Sequence, residues 1–131
     1  MPAKILIVED NPDSREILRI QIERLGYEVI EALSGKEAIK KALVENPDLI
    51  IMDIMLPGMN GIEAAIALKQ NPKTSRIPVI GHSAWHENKE KAVAAGMVGF
   101  LLKPTPPNVF RQVLQRILEN KTEKKSVAGS G

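Results

Sequence analysis

An α/β fold, a five-stranded doubly wound parallel sheet with helices on both faces, is predicted by three observations. Short apolar runs alternate with segments of helical periodicity five times along the 131 residues. Two of those runs, 5–8 and 49–52, are apolar at every position, the pattern of strands covered on both sides. Hydrophobic residues make up 44% of the chain but aromatic ones only 3%, so the core must be Ile, Leu, Val, Ala and Met. A chain of this length can bury one sizeable core, and right-handed crossovers then place helices on either side of the sheet.

The elements follow in order. Ile5-Leu6-Ile7-Val8 is rich in β-branched residues and stops at Glu9-Asp10-Asn11-Pro12, a strand entering a polar turn. Over 13–25, Ile17, Leu18, Ile22 and Leu25 recur at helical spacing, and Gly26 is a C-terminal stop. Residues 28–32 read as a second strand. Ser34-Gly35-Lys36-Glu37 has the Ser-x-x-Glu form of a capping box, and the second helix should turn Ala38, Ile39, Ala42 and Leu43 inward before Asn46-Pro47.

The third strand, 49–52, again terminates in a carboxylate, Asp53. A loop with Pro57, Gly58, Asn60 and Gly61 leads to a third helix over 62–70, with Asn60-Gly61 read as a turn and Asn71-Pro72 as the breaker. Strand four is expected at 78–82, helix four at 87–95 before Gly96, and strand five at 99–102. Helix five should span 107–120, opening on Pro107, with Val109, Phe110, Val113, Leu114, Ile117 and Leu118 inward.

Composition narrows the function classes. The absence of cysteine removes disulfides, thiol nucleophiles and thiolate metal sites, and suits a reducing cytoplasm, the expected location. No apolar run approaches the roughly 18 residues of a membrane span, and the N-terminus has no signal-peptide pattern. A net charge of +2 is too balanced for a nucleic-acid binder, and several of its cations lie at Lys121, Lys124 and Lys125. One domain over 1–120, followed over 121–131 by a patternless polar segment that reads as a disordered tail or linker, is therefore expected.

Ligands of an open parallel sheet bind beyond the carboxyl ends of its strands, where this chain places Glu9, Asp10, Asp53, Ser83 and Lys103. Charged residues are common where strands re-enter water, but these groups are chemically complementary. Carboxylates drawn together repel, and a hard divalent ion with oxygen ligands, Mg²⁺ or Mn²⁺, resolves the conflict. Lys103 and Ser83 then suit the oxygens of a phosphoryl group, one as a point charge and the other as a donor.

In these residues the chain resembles the bacterial response-regulator receiver domains of two-component signalling, the CheY-like superfamily. Glu9-Asp10 after strand one, the run from Asp53 through Pro57-Gly58 to Asn60-Gly61, Ser83-Ala84 after strand four, and Gly99-Phe100-Leu101-Leu102-Lys103-Pro104 carry the likeness over residues 3–120. The resemblance implies a flavodoxin-like receiver fold with strand order 2-1-3-4-5. It implies that Asp53 takes a phosphoryl group from a histidine kinase or histidine phosphotransfer protein, with Mg²⁺ held by Asp10, Asp53, the Met55 backbone carbonyl and, through water, Glu9. Ser83 and Lys103 would bind the transferred group, Ser83 and Phe100 would form the switch, and the Lys103-Pro104 peptide would be cis. Met55 and Trp85 would flank the phosphoryl group and limit water, prolonging its lifetime. The output would be altered binding of a downstream target protein, with no membrane or direct nucleic-acid contact.

Other readings of the residues remain. Phe100 also suits an ordinary core position, and Trp85 an exposed partner-binding aromatic. Arg15, Glu16, Arg19 and Glu23 suit a solvated helix face or a kinase-docking one. His82 and His86 are four apart across a strand-to-loop junction rather than on one helical turn, so no shared metal site is expected. An aspartate-nucleophile phosphohydrolase would need a proton carrier two residues after Asp53, where Met55 stands. A nucleotide or flavin binder would need amides rather than Glu9 and Asp10 after strand one. A pseudo-receiver that never takes phosphate would not require Glu9, Asp10, Asp53, Ser83 and Lys103 together.

Overall fold

The structure is a computed structural model that describes the backbone of residues 2–130 and the side chains of residues 2–120. Its elements are β1 (Lys4–Val8), α1 (Pro12–Arg24), β2 (Glu28–Ala32), α2 (Gly35–Glu45), β3 (Leu49–Asp53), α3 (Gly61–Gln70), β4 (Val79–Ser83), α4 (Lys89–Ala94), β5 (Gly99–Leu102) and α5 (Pro107–Ser130). The tail expected over 121–131 lies outside the described side chains.

All four strand pairings are parallel, in the order β2-β1-β3-β4-β5. Two-residue alternation divides the apolar side chains between two cores. On one face Leu6, Val8, Ile50, Met52 and Val79 pack with Ala38, Ala42, Ala64, Leu68 and Ala92 of α2, α3 and α4. On the other, Ile5, Ile7, Leu49, Ile51 and Ile80 meet Leu18 and Ile22 of α1 and Phe110 and Leu114 of α5. Double coverage is why the runs over 5–8 and 49–52 could be apolar throughout.

The elements differ from expectation where one helix face was read too widely. Ile17 is 60% exposed and Leu43 41%, because Leu18 and Ile22, and Ala38 and Ala42, already fill the contact stripes. Ile17 and Leu43 fall on the flanks. The segment expected as helix four opens with a 3-10 turn at His86–Asn88 and yields only a six-residue α4.

Helix starts reveal the local chemistry. Asn11, with Pro12 behind it, caps α1 by accepting from the Ser14 amide. Ser34 accepts from the Glu37 amide, but Glu37 pairs with Lys41 at 3.1 Å, so only half of the expected capping box is present. The complete box is at α3: Asn60 accepts from the Glu63 amide at 2.9 Å and Glu63 accepts from the Asn60 amide at 3.2 Å. Asn60-Gly61 is thus a helix start.

That start presses on the end of β3. The Gly61 amide donates to the Ile54 carbonyl at 2.9 Å, and a Cβ at Gly61 would lie 2.1 Å from the Asp53 carbonyl oxygen. The obstructing atoms are backbone and cannot swing aside. Gly61→Ala is expected to lower stability by about 2–3 kcal/mol by overpacking, measured as a reduced urea midpoint with unchanged slope.

Candidate functional site

Strand register assembles the site. Val8 pairs with Met52, and Asp53 pairs with His82, so the residues leaving β1, β3 and β4 arrive at one edge of the sheet. Glu9 continues the ladder by donating its amide to the Ala32 carbonyl, and Lys103 donates its amide to the Ser83 carbonyl at 2.8 Å. Backbone pairing therefore positions these residues before their side chains interact.

Glu9, Asp10 and Asp53 each place a carboxylate oxygen within 4.8 Å of the others. Glu9 and Asp53 are buried while Asp10 is exposed, so the cluster is open on one side. The Lys103 ammonium bridges the buried pair, 2.9 Å from Glu9 and 3.3 Å from Asp53. Burial, then the hydrogen bond to Asp53, raises the Glu9 carboxyl to about 7 despite the opposing pull of Lys103. Burial alone would lower Lys103, but Glu9 and Asp53 outweigh it and raise its pKa. The site therefore carries a persistent cation beside a Glu9 carboxyl that resists ionisation.

Backbone and cationic supports hold the acidic groups. The Met55 amide donates to the Asp53 carboxylate at 3.2 Å. Arg15, read from sequence as part of a solvated or docking face, is half-buried. Its guanidinium donates to the Glu9 carbonyl at 3.1 Å and reaches the Asp10 carbonyl at 3.5 Å, while its Nε lies 3.6 Å from Glu31 on β2. Only the six-residue spacing from Glu9 could have hinted at this role, since the carbonyl acceptors leave no trace in side-chain pattern.

Ser83 is fully buried, and its hydroxyl accepts from the Trp85 amide and from the Asn88 side chain, each at 3.0 Å. Phe100 is half-buried and packs with the α3 and α4 core. It pairs in register with Gly81, where an added Cβ would stand 3.2 Å from the Phe100 ring and 2.9 Å from Met97 Sδ. The Lys103-Pro104 peptide is cis. Met55 is 60% and Trp85 59% exposed, so neither is shielded by the protein.

The two histidines separate. His86 is exposed, whereas His82 is buried with its ring edge-on to Phe110, centroids 5.5 Å apart. Thr105 donates to the Leu102 carbonyl at 2.6 Å, so its oxygen is free to accept from His82 Nε2 at 3.3 Å. Burial and the Lys103 charge lower His82 to about 4, making it a neutral strut on the α5 side of the sheet.

A set of carboxylate oxygens with no competing thiol fits a hard divalent cation better than a soft one. The adjacent ammonium suits an anion placed next to that cation. A family model for the response regulator receiver domain matches residues 5–120. The chain belongs to this family. Receiver domains are signalling switches of two-component systems rather than conventional enzymes. This one is 37% identical over 120 residues to the alkaline phosphatase synthesis transcriptional regulatory protein PhoP of Bacillus subtilis, covering 90% of the chain and 49% of PhoP. The chain thus spans about half the length of such transcriptional regulators. It is 35% identical to the polar-differentiation response regulator DivK of Brucella anthropi, covering 90% of this chain and 98% of DivK. Among solved structures, the receiver domain of sensor histidine kinase PA1611 from Pseudomonas aeruginosa superposes with a TM-score of 0.85 at 30% identity, covering 91% of this receiver domain and 99% of that chain; it has a magnesium ion coordinated in its active-site cleft. Chemotaxis protein CheY4 of Vibrio cholerae gives 0.82 at 32% identity, covering 89% and 99%.

Two outcomes follow from this geometry. His82 has a folded pKa below its unfolded value of 6.5, so its contribution to stability is complete above 6.5 and is lost as pH falls toward 4. The loss is about 3 kcal/mol, read from urea unfolding across that window, and His82→Leu should flatten this part of the profile. Arg15→Met should leave the fold intact but weaken Mg²⁺ binding about tenfold by releasing the Glu9 and Asp10 carbonyls, measured by calorimetric titration.

Proposed function

We propose that the Asp53 carboxylate of this receiver domain accepts a phosphoryl group from a histidine kinase or histidine phosphotransfer protein in a Mg²⁺-dependent reaction. The observation that carries this reading is the meeting of Asp53 with Glu9, Asp10 and Lys103. A lone pair on an Asp53 oxygen attacks phosphorus, the bond from phosphorus to the donor imidazole nitrogen breaks, and that nitrogen keeps the electron pair. The product is an acyl phosphate on Asp53.

Asp10, Asp53 and the Met55 backbone carbonyl would hold the cation, with Glu9 acting through water. When bound, Mg²⁺ supplies charge neutralisation for the phosphoryl oxygens. Lys103 stays protonated throughout, and we assign it to one phosphoryl oxygen once Asp53 carries the acyl phosphate. The Met55 amide keeps one Asp53 oxygen oriented, while the other faces the Lys103 ammonium at 3.3 Å. Ser83 would donate to the product, Phe100 would respond to the Ser83 movement, and Met55 and Trp85 would flank the phosphoryl group. Self-catalysed phosphorylation and dephosphorylation are the whole of the chemistry proposed. A second proton carrier is missing two residues beyond Asp53, which argues against a phosphohydrolase.

The consequence would be altered affinity for a downstream target protein, because a product bound differently by two conformers shifts their populations. Among the described residues no helix is long and apolar enough to cross a membrane. Incubation with acetyl phosphate and Mg²⁺ should add one phosphoryl group by intact-mass spectrometry. Asp53→Asn or chelation of the metal should abolish the adduct. Its persistence in Asp53→Asn would overturn the assignment.

A further inference from the structure

The Ser83 hydroxyl has its hydrogen-bonding capacity taken up inside its own loop. It accepts from the Trp85 amide and the Asn88 Nδ2, each at 3.0 Å, and its proton is directed at the Trp85 carbonyl at 3.4 Å. A hydroxyl has one donor and two acceptor positions, so all three are engaged, the donor weakly. Its backbone is clamped as well, because Ser83 pairs with Leu102 and its carbonyl accepts from Lys103. Rotation about the side-chain bond is the remaining freedom by which the oxygen changes partners.

Asn88 is the unusual member of this set. It stands immediately before α4, where Asn is among the most effective N-caps, yet its backbone is helical at φ −76 and ψ −9 and its side chain makes no capping bond. Asn11 and Asn60 both cap their helices. The α4 start goes without that contribution while the Asn88 amide is directed to Ser83, five residues back in the chain. The Trp85 bond is local to a two-residue turn, whereas the Asn88 bond spans the 3-10 turn at His86–Asn88 and ties it to β4.

We propose that Asn88 is a positioning residue whose amide holds the Ser83 hydroxyl toward its own loop, so that Ser83 engages a phosphoryl group on Asp53 only by giving up Asn88 and freeing the start of α4. This rests on the reading of Asp53 as phosphoryl acceptor and names the element through which its occupancy is transmitted. Ala92 anchors α4 in the core beside Val79, but neither the 3-10 turn nor the α4 start has a side-chain cap, so the Asn88 bond to Ser83 is the side-chain tie that holds this uncapped start to the end of β4.

The test uses the full chain as wild type, Asn88→Ala, Asn88→Leu, Ser83→Ala and the Ser83→Ala/Asn88→Ala double variant. Leu is branched at the same carbon as Asn, is somewhat larger and removes the donor, and thermal midpoints identify any variant that has merely unfolded. Phosphorylation by acetyl phosphate with Mg²⁺ should be about fivefold faster in Asn88→Ala and Asn88→Leu, the factor expected for removal of one ordinary net hydrogen bond from the resting state. In the Ser83→Ala background, Asn88→Ala should change nothing, the non-additivity that marks a direct pair. An unchanged rate in both single variants, or the same acceleration without the Ser83 hydroxyl, overturns the proposal. A second measurement needs no phosphodonor: hydrogen exchange at the Trp85 amide should quicken in Asn88→Ala. If wild type forms no adduct at all, the acceptor reading of Asp53 fails by itself. Trp85 exchange then decides the Asn88 tie, faster exchange supporting it and unchanged exchange refuting it.

Discussion

Three carboxylates brought within 4.8 Å of one another is the constraint around which this receiver domain is arranged. Like charges at that separation repel, and burial of Glu9 and Asp53 strengthens the repulsion by removing solvent. The fold opposes the repulsion with one ammonium, Lys103, delivered from β5, the strand farthest from β1 in chain order. Glu9 remains reluctant to ionise even so, because its burial and its hydrogen bond to Asp53 outweigh the pull of Lys103.

Holding such a cluster demands rigid surroundings, and most of the rigidity is backbone. The Met55 amide fixes one Asp53 oxygen, Arg15 fastens the carbonyls behind Glu9 and Asp10, and α3 begins directly against the Asp53 carbonyl through Gly61. The opposite side of β4 is braced by neutral His82, wedged between Phe110 and Thr105. The loop after Ser83 is different in kind: a 3-10 turn and a short α4 without an N-terminal side-chain cap, packed on the sheet through Ala92 and tied to the end of β4 by side-chain hydrogen bonds to Ser83. A rigid acceptor beside a loosely tethered reporter is a reasonable division for a switch, since the chemistry needs fixed geometry while the readout needs two accessible arrangements.

The β-α alternation was legible because buried parallel strands leave continuous apolar runs, and β2 and β5 were placed to the residue. Amphipathic helices were read too generously at Ile17 and Leu43, where periodicity marks a sector wider than the strip a neighbour covers. Asn60-Gly61 has the composition of a turn, but Glu63, three positions on, completes a capping box that makes Asn60 the start of α3. The contacts of Arg15, visible in sequence only as part of a solvated or docking face, and of Asn88 are hidden for a different reason. Both act on groups of the backbone or a hydroxyl, whose positions depend on how distant segments pack.

By itself the sequence determined the class of fold, the strand-end carboxylates and the chemical type of each group available for the site, because side-chain periodicity and composition are local properties. Tertiary structure decided which of those groups touch: Lys103 between Glu9 and Asp53, His82 turned toward Phe110, and Asn88 spent on Ser83 instead of on its helix. Distances between residues far apart in the chain follow from strand register and helix packing, which no local pattern encodes.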